Sequence, residues 1–153
     1  MQLYRLLYVS FAIGGFDLPR NLAILKTARE RNRERGITGV LLSRDALYLQ
    51  VLEGPETAVR ATLQEIRRDP RHQCVVVLAD YRASGRLFPG WQMGFYHMSA
   101  IEAQAGAGLI GNGDLSLETI IERHVGVDAI AGILAGFYAS NARELRFSSL
   151  ARV

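Results

Sequence analysis

The 153-residue sequence is poor in residues that cross-link, ligate metals or anchor in a bilayer. Cys74 is its one cysteine, so no internal disulfide can form, and that usage fits a reducing cytoplasm. Three scattered histidines and one cysteine show no metal-ligand spacing, so no metal is expected. No apolar run is long enough to span a bilayer. Met1 leads almost at once into a strand-like stretch, without a signal-peptide layout. These features together predict a cytoplasmic chain that does not enter a membrane. Lysine is nearly absent too: Lys26 is the only one, and arginine supplies the other basic charge.

What is present is ordinary globular material. The chain is 49% apolar and 22% charged, enough for a real core in one domain with a small appendage. The net charge of +3 is local: residues 1–98 hold 14 basic and 9 acidic residues, and residues 99–153 hold 4 and 6. Arg29, Arg31, Arg33 and Arg35 crowd one expected helix end, and Arg67, Arg68 and Arg71 another, where cations suit the helix dipole. No aromatic platform is interleaved with these arginines, which argues against nucleic acid.

The stretch GVLLSRDALYLQVLE, residues 39–53, reads as a hairpin with its break at Ser43-Arg44-Asp45-Ala46. In its second strand Leu47, Leu49, Val51 and Glu53 share one face, and Tyr48, Gln50 and Leu52 the other. Gln50 admits two readings, an edge strand with the carboxamide in water or a buried carboxamide kept for a ligand. Taken alone, the strand favours the edge.

In chain order, residues 2–10 predict a strand with Tyr4 and Tyr8 on one face. Asp17 then caps a helix that runs to about Arg35, with Pro19 in its first turn and Gly36 as its stop. Leu18, Leu22, Leu25 and Arg29 form one stripe of that helix; Ile24, Ala28 and Arg31–Asn32 form the next. After the hairpin, Pro55 opens a second helix at its first position, with Ala58, Val59, Thr62, Leu63 and Ile66 inward and Asp69-Pro70 at its end. CVVVLA, residues 74–79, reads as a buried strand. Trp91 to Met98 reads as a last strand. This order is the split βαβ pattern of ferredoxin-like folds: an α+β domain, βαββαβ(β), with a mixed five-stranded sheet and two helices on one face. Residues 99–114 are small and glycine-rich. Leu115–Val125 and Asp128–Asn141 predict two C-terminal helices, with Ser116 as a possible cap, packing on the open sheet face, on another subunit, or on both.

Several pieces resemble one family: YRLLYVS with Tyr8, RNRERGITGVLL with Asn32, LYLQVLEGP with Gln50, IRRDPRHQ, and FPGWQM with Trp91 and Met93. Their order and spacing across residues 1–98 resemble a BLUF domain, a blue-light sensor using flavin. Residues 99–153 look like the linker and helical extension of its short members. The resemblance implies non-covalent FAD between the two helices, and a sensor rather than an enzyme. It matches Tyr8 to the electron and proton donor and Gln50 to the hydrogen-bonded switch. It matches Trp91 and Met93 to the pair that relays the change. Asn32 would fix the pyrimidine end of the ring, and Ile24 would wall it. Asp69, Arg71 and His72 would lie close to the ring and the ribityl chain. Ala28 and Arg31 stand where relatives often carry small polar or amide residues, and Arg31 is a candidate to reach the phosphates. Ser43 stands where many relatives have an aromatic. The expected output is a light-dependent contact with a response protein or a second copy of the chain, through Ile130, Leu134, Phe137 and Tyr138; the alternative for this stripe is that it only covers the sheet.

Three other readings compete. An acylphosphatase-like enzyme needs a basic residue in the loop FAIGGFD, which has none. An RNA-binding module needs exposed aromatics on its central strands, where LYLQVLE offers only Tyr48. A structural subunit of a homo-oligomer stays open for residues 99–153.

Overall fold

The computed structural model describes residues 2–14, 17–97 and 117–138. Strands β1 (Leu3–Ala12), β2 (Thr38–Arg44), β3 (Leu47–Gly54), β4 (His72–Ala83) and β5 (Gly94–His97) form one sheet in the order β4-β1-β3-β2-β5. All pairs are antiparallel except β2 with β5, so the sheet is mixed only at that edge. Helices α1 (Leu18–Arg35) and α2 (Glu56–Arg68) are the crossovers of the two split βαβ units, β1-α1-β2 and β3-α2-β4. This is the expected ferredoxin-like α+β fold.

The ends of α1 are encoded locally. The Asp17 carboxylate accepts the Arg20 N–H at 3.0 Å, and proline occupies the first turn. Gly36 takes the left-handed conformation at φ 67°. Its N–H then reaches the Arg33 carbonyl and the Ile37 N–H the Asn32 carbonyl, a Schellman ending. Asp69 ends α2 as expected, but Pro55 is its cap rather than its first helical residue. The inward line of α1 also departs from expectation. Leu22 is 41% exposed, while Asn21, Leu25 and Asn32 are buried. Two amides therefore replace apolar side chains on the helix face turned to the sheet.

Side chains alternate across the strands and build two cores. Tyr4, Leu6, Tyr8, Tyr48 and Leu52 face α1 and α2 together with Leu25, Val59 and Leu63. Leu7, Val40, Leu42, Leu49 and Val51 face the other way. That second face is covered by α3 (Leu117–His124) and by α4, a helical segment over residues 129–138. Leu117, Ile120, Ile121, Ile130 and Leu134 lie in this core, with Phe137 and Tyr138 packed against it. Of the options left open for the C-terminal helices, the sheet face is thus occupied. The expected Ser116 cap and residues 139–141 fall outside the described residues.

Two expectations about strands need correction. Cys74–Ala79 is not a buried strand. It belongs to the edge strand β4, where Cys74 is exposed and Val76 and Leu78 are 52% and 47% exposed. The β-branched run reflects β propensity, not burial on both faces. The last strand is shorter than expected: Trp91 and Met93 lie in the turns ahead of β5, and Met98 lies outside the described residues.

A buried charge network ties the second core together. Glu53, fully buried, accepts from Arg5 Nε (3.1 Å), Thr38 Oγ1 (2.9 Å), Leu87 N (2.9 Å) and Phe88 N (2.7 Å). Arg5 also donates to Asp128 at 2.5 Å and to the Gly85 carbonyl at 2.5 Å. Asp128 in turn accepts from Tyr81 OH and from the Ala131 N–H in the first turn of α4. No helix among the described residues is long and apolar enough to cross a membrane.

Candidate functional site

A cleft enclosing roughly 730 Å³, part of it open to solvent, lies between α1 and α2 above the first core. A concave cleft between two helices and a sheet is the kind of place where small-molecule and cofactor sites occur. Strand and turn residues Tyr8, Leu41, Gln50, Leu52 and Met93 line it from the sheet. Ile24, Leu25, Ala28, Arg31 and Asn32 line it from α1, and Thr62, Glu65 and Ile66 from α2. Asp69, Arg71 and His72 complete it after α2. Every residue expected to bind a cofactor is present in this lining, whose exposed surface is more apolar than polar but which carries many polar and charged side chains.

Gln50 is 7% exposed and sits on a central strand, opposite Tyr8 on one side and Leu41 on the other. The edge-strand reading is therefore wrong, because long-range pairing with β1 and β2 encloses β3. The Tyr8 hydroxyl donates to Gln50 Oε1, and Gln50 Nε2 donates to the Met93 sulfur at 3.2 Å. Burial pushes the Tyr8 pKa far above its ordinary value, so the phenol is neutral. A neutral phenol, a carboxamide with both donor and acceptor ends, and a thioether thus form one hydrogen-bonded chain on the cleft wall.

Trp91 and Met93 occupy opposite sides of the sheet. Met93 lines the cleft, while Trp91, 2% exposed, lies in the second core beside Phe88 with ring centroids 5.7 Å apart. The Trp91 ring crosses Gly94 so closely that a Cβ there would come within 2.3 Å of it. Asn32 Nδ2 donates to the Gln92 carbonyl at 2.6 Å.

The charged residues sit at the rim. Arg35 grips Glu65 at 2.7 and 3.0 Å, and Arg31, 58% exposed, reaches the same carboxylate at 3.5 Å. These pairs clasp α1 to α2 across the cleft. Asp69 accepts the Arg71 guanidinium at 2.6 Å, which holds its carboxyl below the usual range. His72 lies 3.0 Å from Ser10 Oγ through Nδ1, and burial lowers its pKa.

Sequence reasoning missed the Tyr48–Asn21 pair. The Tyr48 hydroxyl donates to Asn21 Oδ1 at 2.5 Å, and Asn21 Nδ2 is buried without a partner. The available signal was helical spacing, since Asn21, Leu25, Ala28 and Asn32 fall on one line of α1.

The model of the BLUF family, described as sensors of blue-light using FAD, matches residues 3–94. The chain belongs to the BLUF family. The matched BLUF region is a photosensor and not an enzyme. A photoactivated adenylate cyclase subunit beta from Euglena gracilis is 35% identical over 102 residues, covering 65% of this chain but only 12% of that protein. The dark-state structure of the BLUF protein BlrB is 27% identical with a TM-score of 0.63, covering 91% of this chain and 97% of that one. Klebsiella pneumoniae BlrP1, solved with FMN and cyclic diGMP, is 30% identical with a TM-score of 0.68, covering 92% of this chain and 36% of that one.

Proposed function

We propose that this BLUF chain is a blue-light photoreceptor with non-covalent FAD in the cleft, switched through Tyr8 and Gln50. The observation that carries the reading is the chain Tyr8–Gln50–Met93 on the cleft wall. The lining fits a flavin. Ile24, Leu25, Ala28 and Ile66 offer apolar walls, and Asn32, Gln50, Arg71 and His72 offer polar groups for a heteroaromatic edge and a ribityl chain.

A bound flavin would supply a strong one-electron oxidant on absorbing blue light. Tyr8 gives up an electron, and its hydroxyl proton leaves along the bond to Gln50. When both return to Tyr8, the Gln50 carboxamide is left turned over or tautomerised, with donor and acceptor ends exchanged. Its bond to the Met93 sulfur is then lost, and the Trp91–Met93 stretch relays the change. The signal is a shift between two hydrogen-bond networks.

Residues 1–98 act as the sensor and residues 99–153 as its linker and helical extension. Output passes through the C-terminal helices to a response or effector protein, with the chain as a homo-oligomer. The free thiol of Cys74 supports a cytoplasmic setting. The pairing of Arg31 and Arg35 with Glu65, and of Arg71 with Asp69, supports a receptor that binds neither nucleic acid nor a membrane.

The test is direct. Purified full-length protein is expected to be yellow and to show a reversible red shift of the flavin band after blue light. Flavin released on denaturation is expected to be FAD rather than FMN. Tyr8→Phe and Gln50→Leu are expected to keep the colour and lose the shift. A normal red shift in either variant would refute the role of that residue.

A further inference from the structure

Arg29 lies on α1 outside the cleft lining, and its Nε donates to the Met93 main-chain carbonyl at 2.9 Å. The two preceding carbonyls are held as well. Asn32 Nδ2 donates to Gln92 at 2.6 Å, and the Gly39 N–H donates to Trp91 at 2.9 Å. The ladder between β2 and β5 begins only at the Val40–Gly94 pair, so residues 91–93 precede the sheet. Their backbone is fixed by these bonds instead of by strand pairing. The stretch carries two buried side chains to opposite faces, Met93 toward Gln50 and Trp91 into the second core. Any exchange between those faces must carry the three carbonyls with it. Among the three donors, Gly39 uses its backbone and Asn32 belongs to the cleft. Of the two side-chain donors, Arg29 is the one that does not itself line the cleft. Its bond is charge-assisted and therefore stronger than a neutral one.

We propose that Arg29 is a positioning residue for the switch. Its bond to the Met93 carbonyl holds the Trp91–Met93 stretch with the methionine sulfur on the Gln50 amide, and its release lets that stretch move when Gln50 turns over. The second half of this statement rests on the photoreceptor reading; the first half does not.

Trp91 is the only tryptophan in the chain, so its fluorescence reports on this stretch alone. Acrylamide quenching of Trp91 is measured in the full-length protein, in wild type, Arg29→Met and Arg29→Lys. Loss of the charge-assisted hydrogen bond to the Met93 carbonyl shifts the held and released populations by about tenfold or more. Quenching is expected to rise accordingly in Arg29→Met, at unchanged flavin content, and to return toward wild type in Arg29→Lys, which keeps a cationic donor. Return of the flavin band in the dark is expected to slow by a similar factor in Arg29→Met. Should Arg29→Met fail to fold by circular dichroism, Arg29→Gln replaces it, with an intermediate rise expected. Unchanged quenching, or an equal rise in Arg29→Lys, overturns the assignment. Raised quenching with an unchanged dark return overturns its link to the switch. A colourless protein overturns the photoreceptor reading instead, and the Trp91 measurement still decides the role of Arg29.

Discussion

Replacing Glu53 by glutamine changes one oxygen into an NH2 group inside the buried charge network. The carboxylate uses its two oxygens differently. Oε1 accepts from Thr38 Oγ1 and the Phe88 N–H, and Oε2 accepts from Arg5 Nε and the Leu87 N–H. Whichever oxygen becomes NH2, one main-chain N–H of the buried pair Leu87 and Phe88 faces another donor. An orphaned buried N–H costs about 1–3 kcal/mol. Arg5, 3% exposed, also loses one of its two carboxylate partners and keeps Asp128. Breaking a buried ion pair from one side costs about 3–5 kcal/mol in total, orphaned groups included. With a urea slope of about 2 kcal/mol per molar, the midpoint of unfolding is expected to fall by roughly 1.5–2.5 M. The assay is urea unfolding followed by circular dichroism. Removing both partners, as in Arg5→Met with Glu53→Leu, is expected to cost less than the sum of the single changes, since Glu53 is then not left as a buried charge without Arg5; Asp128 loses Arg5 in the single and the double variant alike. A Glu53→Gln midpoint within about 0.5 M of wild type would refute the reasoning, because it leaves no room for even one orphaned N–H.

Asn32→Ala removes a polar group from the cleft and frees the Gln92 carbonyl. Flavin affinity is expected to fall roughly tenfold to a hundredfold, read as occupancy after dialysis. Burial lowers the His72 pKa from its ordinary 6.5, so the folded protein binds fewer protons than the unfolded chain just below that value. The stability due to neutral His72 is complete above 6.5 and is lost as pH falls through the lowered folded value. Melting temperature is expected to drop as pH falls below 6.5, and to drop less in His72→Gln; equal slopes would refute it. Deleting residues 126–153 strips Ile130 and Leu134 from Leu7, Leu42 and Leu49, so the truncated chain is expected to unfold at lower urea than wild type. An unchanged midpoint would show that α4 contributes nothing to the second core.

The order of elements was legible in the sequence, and the family resemblance picked out the cleft residues; beyond these, what could be read was local. The Asp17 cap, the Gly36 stop and the two faces of β3 depend on neighbours within a few residues, and all match the structure. Burial of whole strands was not legible, because it depends on pairing between distant segments. Gln50 looked like an edge residue and is central; Cys74–Ala79 looked buried and lies at the edge. The apolar stripe of α1 misled for a different reason. A count of apolar positions passes over Asn21, which the helix buries because the Tyr48 hydroxyl accommodates it. Trp91 and Met93 share a parity, so in a strand they would face one side. They face opposite sides because the turns ahead of β5 do not alternate.

The position of β1 has a consequence for the order in which the molecule can be assembled on the ribosome. β1 leaves early in synthesis, yet it lies between β3 and β4, and Arg5 bonds to Asp128, 123 residues later. At ordinary elongation rates of about 5–20 residues per second, that separation corresponds to roughly 6–25 seconds. For that interval Leu7 lacks Ile130 and Leu134, its α4 neighbours in the second core. The nascent chain therefore holds one face of its most apolar strand open until α4 emerges, and a holdase chaperone that shields this face should raise the yield of folded protein.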